Sequence, residues 1–119
     1  SLFGAELARP TLVSAPLAAL AGMSQFPGLA GVVPGYGRFV PCPWGLGVEI
    51  RGEKSPHWTA PDASARTIGH FGQSGSFVWA DRDLRAAAAF VGAEPFGAWH
   101  RDNWSALNSR LLRLARERA

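Results

Sequence analysis

The sequence predicts an α+β fold, an antiparallel sheet packed by a C-terminal helix. Three observations carry this. Residues 67–71 and 76–80 are two short apolar stretches joined by the turn residues Gly72-Gln73-Ser74-Gly75, the pattern of a β-hairpin. Near the end, Trp104, Leu107, Leu111 and Leu114 recur at three- and four-residue spacing, which places one apolar stripe on a helix. The chain has 14 Gly and 9 Pro among 119 residues, so many turns and short elements are expected, while its 11% aromatic content argues against disorder.

Along the chain, residues 1–33 read as an apolar helical or loop segment interrupted by Pro and Gly. Residues 17–23 support about two helical turns behind Pro16, and Gly22, Gly28 and Gly31 end whatever forms there. No charged residue lies between Arg9 and Arg38, so this stretch is expected to be covered by the chain itself or by protein beyond it. Residues 34–119 form the sheet-and-helix part. In it, 34–43 read as loop and 44–50 (Trp44-Gly45-Leu46-Gly47-Val48-Glu49-Ile50) as an alternating strand. Residues 51–65 are a long polar connection to the hairpin, which ends in a polar turn at 81–83. The stretch 84–91 is ambiguous. Four consecutive alanines favour helix by propensity, but its length between turn residues suits a buried strand. After a loop at 92–97, Asp102 or Asn103 can cap the final helix, and four late arginines suit its negative end.

Composition excludes several classes. The net charge is +3, and the basic residues of the last helix make a solvated face instead of a stripe interleaved with aromatics, so no nucleic-acid partner is expected. No stretch reaches the length of a membrane span. The single Cys42, between Pro41 and Pro43, excludes an internal disulfide and is read as unreactive. His57, His70 and His100 lack metal-ligand spacing, so neither a metal nor a cofactor is expected.

The chemistry is concentrated in Gly69-His70-Phe71-Gly72-Gln73-Ser74-Gly75. Closely spaced glycines at a strand end let the backbone approach a ligand, and N–H groups there can serve as oxyanion donors. A histidine on that edge can hold a carboxylate or assist proton transfer near neutral pH. A Ser-His-Asp set is formally available from Ser74 or Ser76, His70 or His57, and Asp62 or Asp81, but the nucleophile-elbow spacing is absent. Trp58, Trp79, Trp99 and Trp104 read as core and cleft walls, and Tyr36 as loop packing.

The ordered set Trp44-Gly45-Leu46-Gly47, Ser55-Pro56-His57-Trp58, Gly69-His70-Phe71-Gly72-Gln73-Ser74-Gly75-Ser76 and Trp79-Ala80-Asp81 resembles the C-terminal part of the serine β-lactamase-related family. That family includes class C β-lactamases, D-alanyl-D-alanine carboxypeptidases and esterases. The resemblance covers roughly residues 34–115. It implies a β-lactamase/transpeptidase-like fold with 84–91 as a strand. It also implies that His70 stands where many members carry the Lys of Lys-Thr-Gly, and that the Gln73 backbone N–H is one of two oxyanion donors. Phe71, Gly72 and Ser74 would line the substrate, a small amide or ester. The departures are equally informative. Lys54 has no Ser three residues before it, so there is no Ser-x-x-Lys box, and Tyr36 has Arg38 where Tyr-x-Asn needs Asn. Because both boxes precede the third in these proteins, the chain is expected to be the C-terminal segment of such a hydrolase, inactive alone. The alternative is a small non-catalytic protein-interaction domain that uses its uncharged N-terminal third.

Overall fold

A computed structural model describes residues 12–118; the first eleven residues of the segment predicted over 1–33 lie outside the described residues. The element order is α1 (Ala15–Ala21), β1 (Gly31–Val33), β2 (Gly37–Phe39), β3 (Glu49–Ile50), β4 (Ile68–Phe71), β5 (Phe77–Asp81), β6 (Ala86–Phe90) and α2 (Ala98–Glu117). Strands β3-β4-β5-β6 form one antiparallel sheet in that order, and β1 and β2 pair separately. The α+β architecture is the one the sequence predicts. No helix among the described residues is long and apolar enough to cross a membrane.

The period-two pattern of β4 and β5 sets the two faces of the sheet. Phe77, Trp79 and Asp81 of β5 point to one side, and the pairing of Gly69 with Trp79 puts Gly69 and Phe71 on that side too. This face carries the main core, in which Trp58, Trp79 and Trp104 are wholly buried together with Phe77, Ala86 and Leu112. The opposite face holds a smaller cluster of Val48, Ile50, Ile68 and Ala80. His70 pairs with Val78 and therefore points to this second face.

Tertiary context overrides propensity at 86–90. The four alanines form a strand because Asp81 folds the chain back just before them. Its carboxylate accepts hydrogen bonds from the backbone N–H groups of Asp83 and Leu84 at 3.1 and 2.9 Å, and from the N–H and hydroxyl of Ser64 at 2.7 and 2.8 Å. Small side chains then let β6 lie close beneath α2.

The last helix begins earlier than its sequence suggests. Gly97 precedes the first turn, and its N–H donates to His100 Nδ1 at 3.0 Å, so Asp102 and Asn103 lie inside the helix instead of capping it. The buried seam is also displaced, running through His100, Trp104, Asn108 and Leu112, with Leu114 half exposed. Two polar residues in that seam disguise it in the sequence.

Other differences have local causes. Residues 44–50 contribute only Glu49–Ile50 to the sheet, because a turn closed by Gly45 N–H on the Val48 carbonyl (2.8 Å) uses Gly47 at φ +76°. The loop expected at 34–43 contains β2, paired with β1 around a turn in which Gly35 has φ +83°. The first helix starts two residues before its expected position, capped by the Ser14 hydroxyl, which accepts from Leu17 N–H at 3.3 Å.

Candidate functional site

Strand β4 runs directly into a rigid hairpin turn. The Gly75 N–H donates to the Gly72 carbonyl and the Gly72 N–H donates to the Ser76 carbonyl, each at 3.0 Å, with Gly75 at φ +75°. This is a type I turn followed by a left-handed residue, the arrangement of a three-residue hairpin loop with a bulge. The Gln73 carbonyl accepts from Phe96 N–H at 2.9 Å, which ties the turn to the loop before α2. The Gln73 N–H itself donates to none of the described residues. It is left available at an exposed turn position.

Gly75 admits no side chain. A Cβ there would press on the Glu94 carbonyl oxygen and lie 2.7 Å from His100 Nε2, and its backbone is in the region that L-residues avoid. Gly75→Ala is therefore expected to cost about 2 kcal/mol. The check is the urea midpoint at unchanged m-value; an unshifted midpoint would show that the turn adapts freely.

Beside this turn lies a cavity of about 450 Å³, lined by Val33, Pro34, Trp44, Glu49, His70, Phe71, Gly72 and Gln73. It is the apolar, partly enclosed kind of concavity that takes small organic ligands. His70 is exposed on its rim, and its imidazole meets the half-exposed Trp44 ring edge-on with centroids 5.5 Å apart. Three of the residues expected to bind substrate divide differently. Gly72 lines this cavity by its backbone. The Phe71 ring packs into the main core against Trp58, Phe96 and Trp104, at 5.7, 4.8 and 5.6 Å. Ser74 is exposed and does not line this cavity; it lines an adjoining shallow depression of about 370 Å³ that shares His70, Phe71 and Gly72 with it.

Glu49 lines this cavity and is also the centre of a buried polar cluster whose other members, Lys54, His57 and Trp58, come from the polar connection of residues 51–65. Glu49 Oε2 accepts from Lys54 Nζ at 2.5 Å and from His57 Nε2 at 2.7 Å, and Oε1 accepts from Trp58 Nε1 at 2.8 Å. Thr59 lies against the other ring nitrogen, its hydroxyl 2.7 Å and its N–H 3.3 Å from His57 Nδ1, an arrangement that suits a neutral imidazole donating from Nε2 to the carboxylate. Burial alone would raise the Glu49 carboxyl, but the hydrogen bonds from His57 and Lys54 and the Lys54 charge overcome it and lower the group to about 2. Burial also lowers the His57 imidazole, and although Glu49 opposes this, Lys54 and Arg51 add to it. The cluster thus holds one anion and one cation and needs no further charge. Lys54 Nζ also sits 3.8 Å from the buried Cys42 Sγ. The one signal in the sequence was Glu49 itself, a carboxylate between Val48 and Ile50.

The Ser-His-Asp alternatives do not assemble. His57 is bonded to Glu49, Asp62 accepts from the Ser109 hydroxyl at 2.9 Å, and Asp81 is occupied by the Ser64 turn. Tyr36 packs its ring against His57, Phe71 and Phe96, and its hydroxyl is buried with no hydrogen-bond partner among the described residues. Burial pushes that phenol far up despite the nearby Arg101. Of the four tryptophans expected as core and cleft walls, Trp58, Trp79 and Trp104 are buried, and Trp99 is more than half exposed beside a depression it lines with Phe90 and His100.

No family model matches the sequence, and no curated protein matches it. A solved structure does. The crystal structure of a β-lactamase from Mycobacterium bovis is 48% identical, with a TM-score of 0.87, over 94% of this chain and 40% of the other. The fold is β-lactamase-related. The chain spans 40% of that β-lactamase's length, an extent that fits one part of a larger hydrolase of this fold.

Proposed function

We propose that this chain forms one wall of the active site of a serine hydrolase of the β-lactamase, carboxypeptidase or esterase type. In this reading an amide or ester carbonyl sits in the cavity beneath Trp44 and is attacked by a serine on the part of the fold that this chain does not span. The Gln73 N–H, fixed by the hairpin, donates to the developing oxyanion together with the N–H of the nucleophile. Such a preorganised donor acts where charge appears in the transition state and costs no reorganisation. His70, on the opposite rim, holds a substrate carboxylate or exchanges a proton with the leaving group. The absence of Ser-x-x-Lys leaves the chain alone with binding and oxyanion stabilisation only.

The observation that carries this reading is an exposed imidazole and an available backbone N–H beside one apolar cavity, the first on a strand and the second in the hydrogen-bonded turn that follows it. The test uses two proteins, the 119-residue chain and a chimera in which this chain replaces the matching part of the M. bovis β-lactamase. With a chromogenic cephalosporin and a p-nitrophenyl ester, the isolated chain is expected to show no turnover. The folded chimera is expected to hydrolyse at least one of them, and His70→Ala in it should lower kcat/KM by about a hundredfold. Turnover by the isolated chain, or a chimera indifferent to His70→Ala, would sink the reading.

A further inference from the structure

We propose that a second concavity, walled by Tyr36, Arg51, Lys54, Ser55, Arg101 and Ser105, binds a tetrahedral oxyanion of the phosphate type, as the free ion or as the end of a phosphomonoester. The inference rests on these residues and not on the catalytic roles of His70 and Gln73.

The concavity holds about 280 Å³, too little for a drug-sized molecule, and shares no lining residue with the cavity beside His70. Three parts of the chain meet around it: the turn between β1 and β2, the connection from Arg51 to Pro61, and the first two turns of α2. Gly35 lets the first and last of these close together. A Cβ there would come within 2.8 Å of Arg101 Cδ and 3.0 Å of the Phe96 ring.

The charges around it do not cancel. No carboxylate lines the concavity, and the acidic sequence neighbours Glu53 and Asp102 lie outside the lining. Lys54 is matched by Glu49 behind it, but Arg51 and Arg101 form no ion pair among the described residues. The two terminal nitrogens of Arg51 donate to the carbonyls of Gly52 and Pro61 at 3.1 and 3.2 Å, while its Nε is buried with no partner among the described residues. Neutral acceptors fix that guanidinium in place and leave its charge uncompensated.

Hydroxyl groups complete the site. The Tyr36 hydroxyl is buried and has no partner among the described residues, a state that native interiors rarely leave unexplained. Burial pushes that phenol up and the Arg101 charge opposes it, which places the guanidinium close to the hydroxyl. The hydroxyls of Ser55 and Ser105 also bond to none of the described residues. Two guanidinium groups and three hydroxyls present more donors than the two oxygens of a carboxylate can use. A tetrahedral dianion matches both their number and their charge, and the arginine fork suits its oxygens.

The test is thermal unfolding of the 119-residue chain in inorganic phosphate, with ionic strength held constant by chloride. Saturating phosphate should raise Tm by about 4 °C or more, and acetate should not. Phenyl phosphate separates the two sources: an equal shift supports a phosphomonoester, and a shift from phosphate alone supports the free ion. Arg101→Gln, at an exposed position, should keep its Tm in chloride and weaken phosphate about tenfold. Tyr36→Phe removes an unpartnered hydroxyl, so it should be no less stable in chloride and yet lose phosphate affinity by a similar factor. Arg113→Gln, on α2 but outside the lining, should keep the full shift. Phosphate also stabilises folded chains generally, by exclusion from their surfaces. A shift of equal size in Arg101→Gln and Tyr36→Phe would show that effect alone and overturn the proposal, as would acetate acting as well as phosphate or no shift in the unsubstituted chain. Should Tyr36→Phe not fold, Arg101→Gln decides by itself.

Discussion

Glu49→Ala is expected to destabilise the chain by about 3–5 kcal/mol, a large part of the total stability of a small domain. The carboxylate accepts three hydrogen bonds, from Lys54, His57 and Trp58, and all four side chains are buried. Truncation leaves an ammonium without its counter-ion and two N–H groups without acceptors, and the uncompensated charge dominates the cost. Removing both charges should cost less than removing one, so Glu49→Gln combined with Lys54→Met is expected to recover part of the loss. Urea titrations of the single and double variants measure this directly, and simple additivity of the two changes would sink the coupling.

The same cluster predicts acid sensitivity, and its two groups act in the same direction. Above pH 6.5, His57 is neutral in the folded and unfolded chains alike. Below that value the unfolded chain takes up a proton that the folded chain resists, so stability falls as pH drops. Glu49, held at about 2 against an ordinary 4.5, remains ionised in the folded chain while the unfolded chain protonates. Its contribution, about 3 kcal/mol, is present above 4.5 and lost as pH falls toward 2. Stability should thus decline in two stages from neutral pH, and His57→Gln should remove the first and, because His57 also helps hold the Glu49 carboxyl down, move the second to higher pH. A stability profile that is flat between pH 7 and pH 3, on the pH scale those two groups define, would contradict the assigned protonation states.

These residues also show where sequence reading stopped. The hairpin around Gly72-Gln73-Ser74-Gly75 was legible because alternation and turn glycines are local signals, whereas the cavity beside His70 was not, because Val33, Pro34 and Trp44 reach it from distant parts of the chain. The strand at 86–90 contradicts its own propensity and was legible only through the resemblance, because the force that selects it is the Asp81 turn and the cover of α2. The 51–65 connection looked solvated because its residues are polar. Their burial depends on Lys54 and His57 reaching a carboxylate that precedes them on a strand, and no periodicity records such a contact. Short strands β1 and β2 were missed for a different reason: three residues on each side of a turn cannot establish an alternation. The outward face of α1 was visible only as a stretch without charge, and the structure leaves its Leu17 and Leu20 about half exposed.

Asn108→Ala is the second large loss expected, about 3–5 kcal/mol, and it explains why a polar residue occupies the buried face of α2. Asn108 Oδ1 accepts from Trp79 Nε1 of β5 at 2.8 Å, and Asn108 Nδ2 donates to the Trp58 carbonyl at 2.8 Å. One wholly buried side chain therefore joins the helix, the sheet and the loop that carries the Glu49 cluster. Truncation leaves the indole N–H and the carbonyl without partners and opens a cavity between them. Asn108→Leu separates these effects, because it fills the volume and restores neither hydrogen bond. If the orphaned groups dominate, the leucine variant should be nearly as unstable as the alanine variant. Trp79→Phe removes one orphan, so the Trp79→Phe/Asn108→Leu double variant should cost less than the sum of its parts. A leucine variant of wild-type stability would instead mean that Asn108 is packing alone. Because the loop held by Asn108 is the one that seats Trp58 against Phe71, the loss should also loosen the strand that presents His70. Hydrogen exchange at the Gly72 N–H is the readout that follows this last link, and its protection should fall in the Asn108 variants further than global unfolding accounts for.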